Sequence, residues 1–370
     1  MKNLSEQFQS QDFINASHSQ KCYFFQNTLP ELDLNSLAYE TKADMFEMCA
    51  NEYFLSKLFI KADEWKILQA PIEEEIENLN YPWTLLVHNL DKYNLNINEV
   101  LKKFDCFPKW AFDDIMGSLS STGSVTPAHI DNYDVFLLQI SGKRKWKTQY
   151  NPKEHYQEDQ PLKILSEFLP DQEFELNPGQ MLYVPAGVAH EAHTIEAGLS
   201  LSIGVQSLNL LDVFMQQAAD NIEAYFTPEL RKRTDNNLIE SNDFEQIKTK
   251  IIEDLLSSTL LENSLLKYVN RFGAEEANPD LDFEEFCQRF ESEALYRNEL
   301  TKFIAIKNDL DYKSSIGDEI ISLTSSEYDD LKFIFDQNLE FEITADKYRD
   351  IIDLLFLYYK ENFIFFAEES

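Results

Sequence analysis

A histidine and an aspartate stand two residues apart, directly before an apolar segment in the middle of this chain. They are His129 and Asp131, and the apolar segment covers residues 135–140. Because side chains alternate between the two faces of a β-strand, residues at positions i and i+2 share a face. An imidazole and a carboxylate on one face supply two of the three ligands of a 2-His-1-carboxylate iron site. The pair therefore predicts a metal site built on strands, and it requires a second histidine from elsewhere in the chain.

The segment 177–187 leads to a suitable second histidine. It contains an Asn-Pro-Gly turn, a short apolar strand and a Pro-Ala-Gly turn, and His190 follows it. An isolated histidine in this position is more often a buried structural residue than a ligand. Next to His129 and Asp131 we interpret His190 as the third ligand, with His193 as its competitor.

Short strands separated by turn residues extend over residues 83–205. This pattern is typical of a sandwich or barrel, and cupins are jelly rolls of this kind. Before residue 80 the sequence predicts helices and short connectors, with helical segments over 37–60 and 73–79. These elements predict an α+β fold with flanking helices and a sandwich or barrel core, of which the cupin jelly roll is one kind.

Apolar residues recur at helical spacing after residue 206, and the last ninety residues mix short strands with helices. We expect three parts: a catalytic domain with N-terminal helices over 1–207, a helical segment over 208–280, and a small domain of winged-helix type over 281–370. An apolar helical stripe usually serves a core, and packing against a second subunit is the alternative. The acidic tail lacks the basic face with which winged helices hold DNA.

The chain is strongly acidic. It contains 66 acidic and 32 basic residues among 370, a formal net charge of -34. Such a surface repels nucleic acid and anionic membranes and attracts cationic partners, although solubility alone is an equally good explanation. The sequence contains no apolar run of transmembrane length and no metal-type cysteine spacing. Residues 1–7 lack a basic segment followed by an apolar one, so we expect no signal peptide. We expect a cytoplasmic protein with reduced thiols and no direct contact with nucleic acid or membrane.

Arg144 follows a Ser-Gly turn on the next strand. The three ligands predicted above would leave three positions of an octahedral ferrous ion open, enough for a chelating α-keto acid and dioxygen. A guanidinium grips a distal carboxylate with two hydrogen bonds, which would give Arg144 a role in holding such an acid. From the residues alone, an ordinary surface arginine explains Arg144 equally well.

The motifs of residues 107–205 resemble those of the bacterial JmjC-type ribosomal oxygenases. The matching stretches are Asp113-Asp114-Ile115-Met116, His129-x-Asp131-x-Tyr133-Asp134-Val135-Phe136, Gly142-Lys143-Arg144-Lys145-Trp146, Pro178-Gly179-Gln180-Met181 through His190-Glu191, and Leu201-Ser202-Ile203-Gly204-Val205. The resemblance extends more thinly over most of the chain. One departure is Pro127-Ala128, where the family usually has Gly-Pro before the first iron histidine, and it leaves the substrate open.

The resemblance implies a JmjC/cupin double-stranded β-helix, a helical dimerisation segment and a winged-helix-like C-terminal domain. It implies that His129, Asp131 and His190 bind Fe(II), and that Arg144 binds the distal carboxylate of 2-oxoglutarate with help from Ser118 or Ser120. The implied reaction is hydroxylation of an arginine side chain of a large-subunit ribosomal protein by a homodimeric enzyme. Asp114 or Asp134 is a further hypothesis for pairing with the target guanidinium.

Other functions remain open at this level. The nearest alternatives are the same chemistry on a histidine and removal of a methyl group from lysine. A non-catalytic cupin that assists ribosomal-protein assembly belongs to another class. A zinc-dependent cupin isomerase would leave Arg144 without a role.

Overall fold

The structure is a computed structural model. It describes residues 4–62, 64–104, 106–107, 111–158, 160, 162–206, 213, 215, 249, 258–269, 281–298, 301, 303–308, 311–317, 319–337 and 341–367. The chain divides into two compact units, residues 1–207 and 208–370.

Strands dominate the first unit. Its helices are α1 (Leu4–Phe8), α2 (Gln11–His18), α3 (Leu34–Cys49), α4 (Leu90–Tyr93) and α5 (Leu95–Leu101), with short 3₁₀ turns at Ile76–Asn78 and Lys102–Phe104. Its strands are β1 (Tyr23–Phe25), β2 (Ser56–Lys61), β3 (Trp65–Gln69), β4 (Trp83–Val87), β5 (Phe112–Ser120), β6 (Val125–His129), β7 (Asp134–Gln139), β8 (Lys143–Gln149), β9 (Gln172–Leu176), β10 (Met181–Val184), β11 (Ala189–Glu196) and β12 (Gly198–Val205).

These strands form two antiparallel sheets in the described part of the chain. The larger has the order β1-β10-β7-β12-β5-β4-β2-β3, and the smaller has the order β6-β11-β8-β9. Side chains from β7 and β10 of the larger sheet and from β8, β9 and β11 of the smaller one share a buried cluster. The two sheets therefore face each other, as in a jelly roll. The other face of the larger sheet packs against the N-terminal helices in a cluster rich in phenylalanine.

The helix predicted over 37–60 is wrong in its second half. Helix α3 begins after Asp33, whose side chain accepts hydrogen bonds from the backbone N–H groups of Asn35 and Ser36, and it ends at Cys49. Residues 56–61 form strand β2, in which Ser56, Leu58 and Ile60 are buried and alternate with more exposed residues. This segment forms a strand rather than a helix because β2 pairs with both β3 and β4. The segment 73–79 contains only the 3₁₀ turn at Ile76–Asn78.

The second unit has its own core in its described residues. Its helices are α6 (Ser258–Val269), α7 (Phe283–Phe290), α8 (Ser325–Asp336), α9 (Ala345–Tyr348) and α10 (Ile352–Lys360), with a 3₁₀ turn at Arg349–Ile351. Its strands are β13 (Leu295–Arg297), β14 (Ala305–Asn308), β15 (Asp311–Ile316), β16 (Glu319–Leu323) and β17 (Ile364–Phe366), with β14, β15 and β16 in one sheet and β13 paired with β17.

The finer domain predictions stay predictions. Most of the helical segment predicted over 208–280 lies outside the described residues, apart from α6. The winged-helix-like character of residues 281–370 and the dimerisation role of 208–280 are therefore carried forward as hypotheses. Among the described helices, none has the length and hydropathy needed to cross a membrane.

Candidate metal and cosubstrate site

Pairing between β6 and β11 brings His129 and His190 side by side. The two residues are direct partners in the antiparallel register, which shifts between His190 and Ala192. Their neighbours Ala128 and Ala189 point to the opposite face, where Leu165 of the β8–β9 connection covers them. The backbone N–H of Leu165 donates to the Ala128 carbonyl at 3.0 Å, which also caps the outer edge of β6. The connection thus supports the two histidine-bearing strands from behind.

Asp131 completes a compact cluster with these two histidines. Its Oδ2 lies 3.5 Å from His190 Nε2 and 3.9 Å from His129 Nε2, and the imidazole centroids are 4.2 Å apart. One ligand atom from each of the three side chains lies within 4.8 Å of the others. Two imidazoles and a carboxylate at this separation can occupy one face of a divalent cation.

Backbone carbonyls orient both imidazoles. His129 Nδ1 lies 2.8 Å from the Pro127 carbonyl oxygen, and His190 Nδ1 lies 3.2 Å from the Val188 carbonyl oxygen. A carbonyl can only accept, so each Nδ1 carries the proton and donates it. Each Nε2 is then left with a lone pair that faces Asp131, the tautomer that metal ligation requires.

Burial adjusts the charges of this cluster. Burial, and then the proximity of His129, lower the pKa of His190 from 6.5 to about 3, so the imidazole is neutral at neutral pH. Burial raises the pKa of Asp131 above its usual value, and the neighbouring His129 opposes this rise. The neutral imidazole of His190 offers a lone pair and the buried Asp131 carboxylate offers a negative charge. Both therefore interact more favourably with a cation than with each other.

Arg144 is a buried charge in the described part of the first unit, and only 3% of it is exposed. Its guanidinium donates to the hydroxyls of Ser120, of Ser200 at 3.1 Å and of Thr194 at 3.3 Å. Among the described residues no carboxylate pairs with it. Burial lowers its pKa to about 10, which still leaves it protonated at neutral pH. An interior cation that only neutral hydroxyls surround is a suitable anchor for an anionic ligand.

The two serines predicted to help Arg144 have different surroundings. Ser120 Oγ contacts the guanidinium directly and also lies 3.1 Å from Thr84 Oγ1. Ser118 is buried, and its hydroxyl has no hydrogen-bond partner in the described structure.

Trp146 lies between the histidine cluster and the arginine. Its ring is 5.8 Å from the His190 ring, and the Arg144 Cζ is 5.8 Å from the Trp146 ring. The indole is 3% exposed, and its N–H group lacks a hydrogen-bond partner among the described residues. A buried donor of this kind is ordinarily satisfied, which makes it a candidate ligand contact.

Sequence reasoning missed Thr194 and Ser200, which bind the guanidinium, and did not assign the indole of Trp146 a role. Side-chain alternation could have predicted that Thr194 faces the site, because it lies four residues after His190 on β11 and therefore shares its face. Ser200 required knowledge of strand pairing, since it comes from the other sheet.

His193 is not brought to the cluster. Three residues beyond His190 on the same strand, it lies on the opposite face, and its Nε2 contacts Glu191 Oε1 at 2.6 Å.

Asp114 and Asp134 likewise have protein partners. The Asp114 carboxylate contacts His88 Nδ1 at 2.8 Å and accepts from the backbone N–H of Asn89 at 3.3 Å. Both oxygens of Asp134 accept hydrogen bonds from residues 183–186, so an internal role fits it better than a substrate contact.

Known proteins are similar to this chain over the segment that contains the cluster and Arg144. Residues 99–213 match the model of the JmjC domain. The chain is 29% identical over 221 residues to the probable ribosomal oxygenase of Haemophilus influenzae, covering 56% of this chain and 52% of that protein. It is 29% identical over 180 residues to the ribosomal protein uL16 3-hydroxylase of Escherichia coli, covering 48% of this chain and 45% of that protein. The matches thus span about half the length of these curated relatives.

Solved structures extend the likeness over the whole fold. The X-ray structure of Escherichia coli YcfD superposes with a TM-score of 0.72 at 19% identity, covering 96% of this chain and 97% of that one. The structure of YcfD, a ribosomal oxygenase from Escherichia coli, in complex with cobalt and 2-oxoglutarate matches with a TM-score of 0.69 at 20% identity over the same shares. The α+β fold with a JmjC core and the resemblance to JmjC-type ribosomal oxygenases, both predicted from the sequence, are confirmed.

Proposed function

We propose that this chain, whose residues 99–213 are a JmjC domain, is an Fe(II)- and 2-oxoglutarate-dependent oxygenase that hydroxylates an arginine side chain of a large-subunit ribosomal protein. The observation that carries the proposal is the cluster of His129, Asp131 and His190 in one sandwich interior with the buried Arg144. In this proposal the three clustered residues hold the metal, and Arg144 holds the cosubstrate.

The donor set supports ferrous iron. Two neutral imidazoles and one carboxylate form the facial triad typical of non-heme Fe(II) oxygenases, and they leave further coordination positions open. A structural zinc site would instead be closed by four protein ligands. Among the described residues, no other cluster of at least three histidine, cysteine or acidic side chains has a ligand atom spacing suited to a metal ion.

The interior between the metal ligands and Arg144 supports a dicarboxylate. His190 and Thr194, the latter a partner of Arg144, are four residues apart on β11, about 13 Å along a strand. A metal ion, a five-carbon diacid chelated to it and a hydrogen bond from the diacid to Arg144 can together span this interval. Arg144 would bind the distal carboxylate with Ser120, while Ser118 Oγ and Trp146 Nε1 offer two further buried donors that have no hydrogen-bond partner among the described residues.

Iron and 2-oxoglutarate, when bound, supply the activation of dioxygen that is coupled to oxidative decarboxylation of the keto acid. The chain orients both. The Pro127 and Val188 carbonyls keep Nε2 of each histidine available, and Asp131 supplies a negative charge. Apolar residues of both sheets exclude water around Trp146, which strengthens the attraction between Arg144 and an anion.

A basic ribosomal protein is the substrate that the available observations favour. Two relatives are named a probable ribosomal oxygenase and a ribosomal protein uL16 3-hydroxylase. The net charge of -34 suits a strongly cationic protein partner. An arginine target, a homodimer formed through residues 208–280 and a cytoplasmic location complete the proposal; they follow from the resemblance and from composition.

Histidine hydroxylation or lysine demethylation is the second candidate. Relatives from Culex quinquefasciatus and Aedes aegypti are named bifunctional lysine-specific demethylase and histidyl-hydroxylase NO66, at 26% and 30% identity over 193 and 128 residues. A non-catalytic cupin that assists ribosome assembly is a third candidate, but it leaves the cluster and Arg144 without a role.

The test incubates the purified chain with Fe(II), 2-oxoglutarate and large-subunit ribosomal proteins, and it measures succinate together with the mass of each protein. The proposal predicts succinate formation and one added oxygen atom on an arginine. Oxygen on a histidine, or loss of a methyl group, would support the second candidate. Binding of ribosomal protein without succinate would support the third.

A matched pair of variants ties the activity to the site. His129→Ala should abolish turnover, while His193→Ala should retain it, because His193 lies on the opposite face of β11. Full activity in His129→Ala would remove the proposed site.

A further inference from the structure

The carboxylate of Asp134 links the two segments that carry Asp131 and His190. Asp134 begins β7, three residues after Asp131. Its Oδ1 accepts a hydrogen bond from the backbone N–H of Ala186, and its Oδ2 accepts one from the hydroxyl of Tyr183, both at 2.8 Å. The donors lie at the end of β10 and in the turn that leads to His190. Both carboxylate oxygens of Asp134 therefore accept hydrogen bonds from the segment 183–186, one from a backbone N–H and one from a tyrosine hydroxyl.

The turn at residues 185–188 is held by the same stretch of chain at a second point. The N–H of Gly187 donates to the Asp131 carbonyl at 2.8 Å, and the N–H of Val188 donates to the Pro185 carbonyl at 3.2 Å. Gly187 has a φ of +79°, a conformation that suits glycine. Two successive N–H groups of the turn are thus fixed by the Asp131 carbonyl and the Asp134 carboxylate.

The connection continues to the imidazole. The carbonyl of Val188, the last residue of this turn, accepts from His190 Nδ1 at 3.2 Å. A displacement of the turn would therefore rotate the His190 ring or break this bond. It would also change the distance from His190 Nε2 to Asp131 Oδ2, which is 3.5 Å.

Tyr183 gives the linkage a fixed support. It is 1% exposed, and its ring packs against Phe13 and Phe136 at centroid distances of 5.3 and 5.0 Å. Burial, and to a lesser degree the negative charge of Asp134, raise the pKa of the phenol above its usual value. The hydroxyl therefore remains a donor, and a hydrogen bond to a carboxylate is stronger than one between neutral groups.

We infer that Asp134, supported by Tyr183, is a positioning residue of the metal centre: it sets the separation between the ligands Asp131 and His190. The inference rests on the proposed function, in which those residues bind Fe(II). Groups that hold metal ligands in place typically change metal affinity by 10- to 100-fold when they are removed.

The experiment measures the dissociation constant of Co(II) by calorimetry in the presence of 2-oxoglutarate, using the full chain. Asp134→Asn should weaken Co(II) binding by about 10- to 100-fold. Tyr183→Phe, which leaves the Asp134–Ala186 bond in place, should weaken it less and in the same direction. Asp114→Asn is the matched control: its carboxylate contacts His88 and Asn89 rather than residues 183–190, so its dissociation constant should equal that of the wild type.

A purely structural role would give a different result. Asp134→Asn would then lower the unfolding temperature of the metal-free protein, and the folded variant would bind Co(II) with wild-type affinity and an unchanged absorption spectrum. That outcome overturns the inference, and a changed spectrum together with weaker binding supports it. If Asp134→Asn does not fold, Tyr183→Phe decides by the same two measurements.

The results that contradict the proposed function differ from those that contradict the role of Asp134. If the wild type binds Co(II) and His129→Ala loses this binding while no succinate forms with ribosomal proteins, the proposed function is wrong. The ratio of the Co(II) dissociation constants of Asp134→Asn and the wild type still decides the role of Asp134. If His129→Ala binds Co(II) as tightly as the wild type, both the function and the inference fail.

Discussion

Arg144 carries its charge in an environment that does not neutralise it. Three hydroxyls satisfy part of its fork of donors, but no described carboxylate offsets the cost of removing a guanidinium from water. A protein tolerates such a charge when a ligand compensates it. The planar fork also explains why arginine rather than lysine suits this position, since it can hold the serine and threonine hydroxyls and a carboxylate at once.

Arg144→Lys should therefore raise the KM for 2-oxoglutarate by about 10- to 100-fold, because one charge-assisted hydrogen bond in a buried site contributes about 1.5–3 kcal/mol. Co(II) affinity should change little, since Arg144 does not contact the metal ligands. Steady-state kinetics at varied 2-oxoglutarate concentration measure the effect. Lys143→Ala is the control: it removes a neighbouring charge that pairs with Glu175 at the surface. An equal rise in KM in both variants would contradict a specific role for Arg144.

His190 makes the metal-free protein sensitive to acid. Its pKa in the folded state is about 3, below its ordinary value of 6.5. As the pH falls below 6.5, the unfolded chain binds a proton at this histidine that the folded chain does not, so stability falls with pH. Between pH 7 and pH 5 this single group should lower the free energy of unfolding by about 2 kcal/mol.

Urea unfolding of metal-free wild type and His190→Gln at the two pH values isolates the contribution. The wild type should lose about 2 kcal/mol more than the variant on acidification. Identical pH dependence in the two proteins would mean that the folded state accepts the proton at His190 as readily as the unfolded state does.

At the level of elements, the β8–β9 connection supports the strands β6 and β11, which carry the two histidines of the proposed metal site. Leu165 and Phe168 pack on Ala128, Ile130 and Ala189, which are the direct neighbours of the three proposed ligands. The alternation that sends the ligands inward sends these small and apolar residues outward, and the connection covers them. The position of the ligands thus depends on a loop that contains none of them.

Leu165→Ala should reduce the free energy of unfolding by about 2–4 kcal/mol, because Leu165 is 3% exposed and its removal leaves a cavity behind β6 and β11. Leu169→Ala, in the same connection, should change it by less than about 0.5 kcal/mol, because Leu169 is 63% exposed. Urea unfolding of both variants measures the difference. Equal effects would show that the connection does not pack as the structure has it.

Local periodicity explains which features could be predicted from the sequence. The pair His129 and Asp131 and the strand nature of residues 83–205 depend on alternation, which is visible in a single segment. The proximity of His190, Thr194 and Ser200 to these residues depends on strand pairing across sequence separations of tens of residues, and the register shift after His190 has no local signal. His190 could be proposed as a ligand only because the pair His129 and Asp131 required a third.

The helix was predicted incorrectly over 56–60 because strand pairing with distant segments is not visible in the local sequence. Its apolar and charged residues fit a short helix as well as a strand, and only pairing with β2's two neighbours selects the strand. In contrast, two helices of the second unit have local start signals in the sequence. A capping box begins both α7, at Asp282 and Glu285, and α8, at Thr324 and Glu327.

At the scale of the whole molecule, charge is the dominant property. A net charge of -34 is spread over a chain whose proposed substrate is a basic protein. Oppositely charged partners are drawn together over distances comparable to the Debye length, about 10 Å at 0.1 M salt. The acidic surface should therefore act on the encounter with substrate more than on the chemical step.

Raising the ionic strength from about 50 to about 300 mM should lower kcat/KM for a ribosomal-protein substrate by roughly tenfold, while kcat at saturating substrate changes little. Initial rates at saturating 2-oxoglutarate measure both quantities. The control is a substrate peptide with the same target residue, in which glutamine replaces the flanking lysines and arginines. Its kcat/KM should be low at every salt concentration and nearly independent of salt, because the long-range attraction has been removed. If the cationic and neutral peptides responded equally to salt, the acidic character of this chain would serve solubility, and recognition would depend on contacts at the site alone.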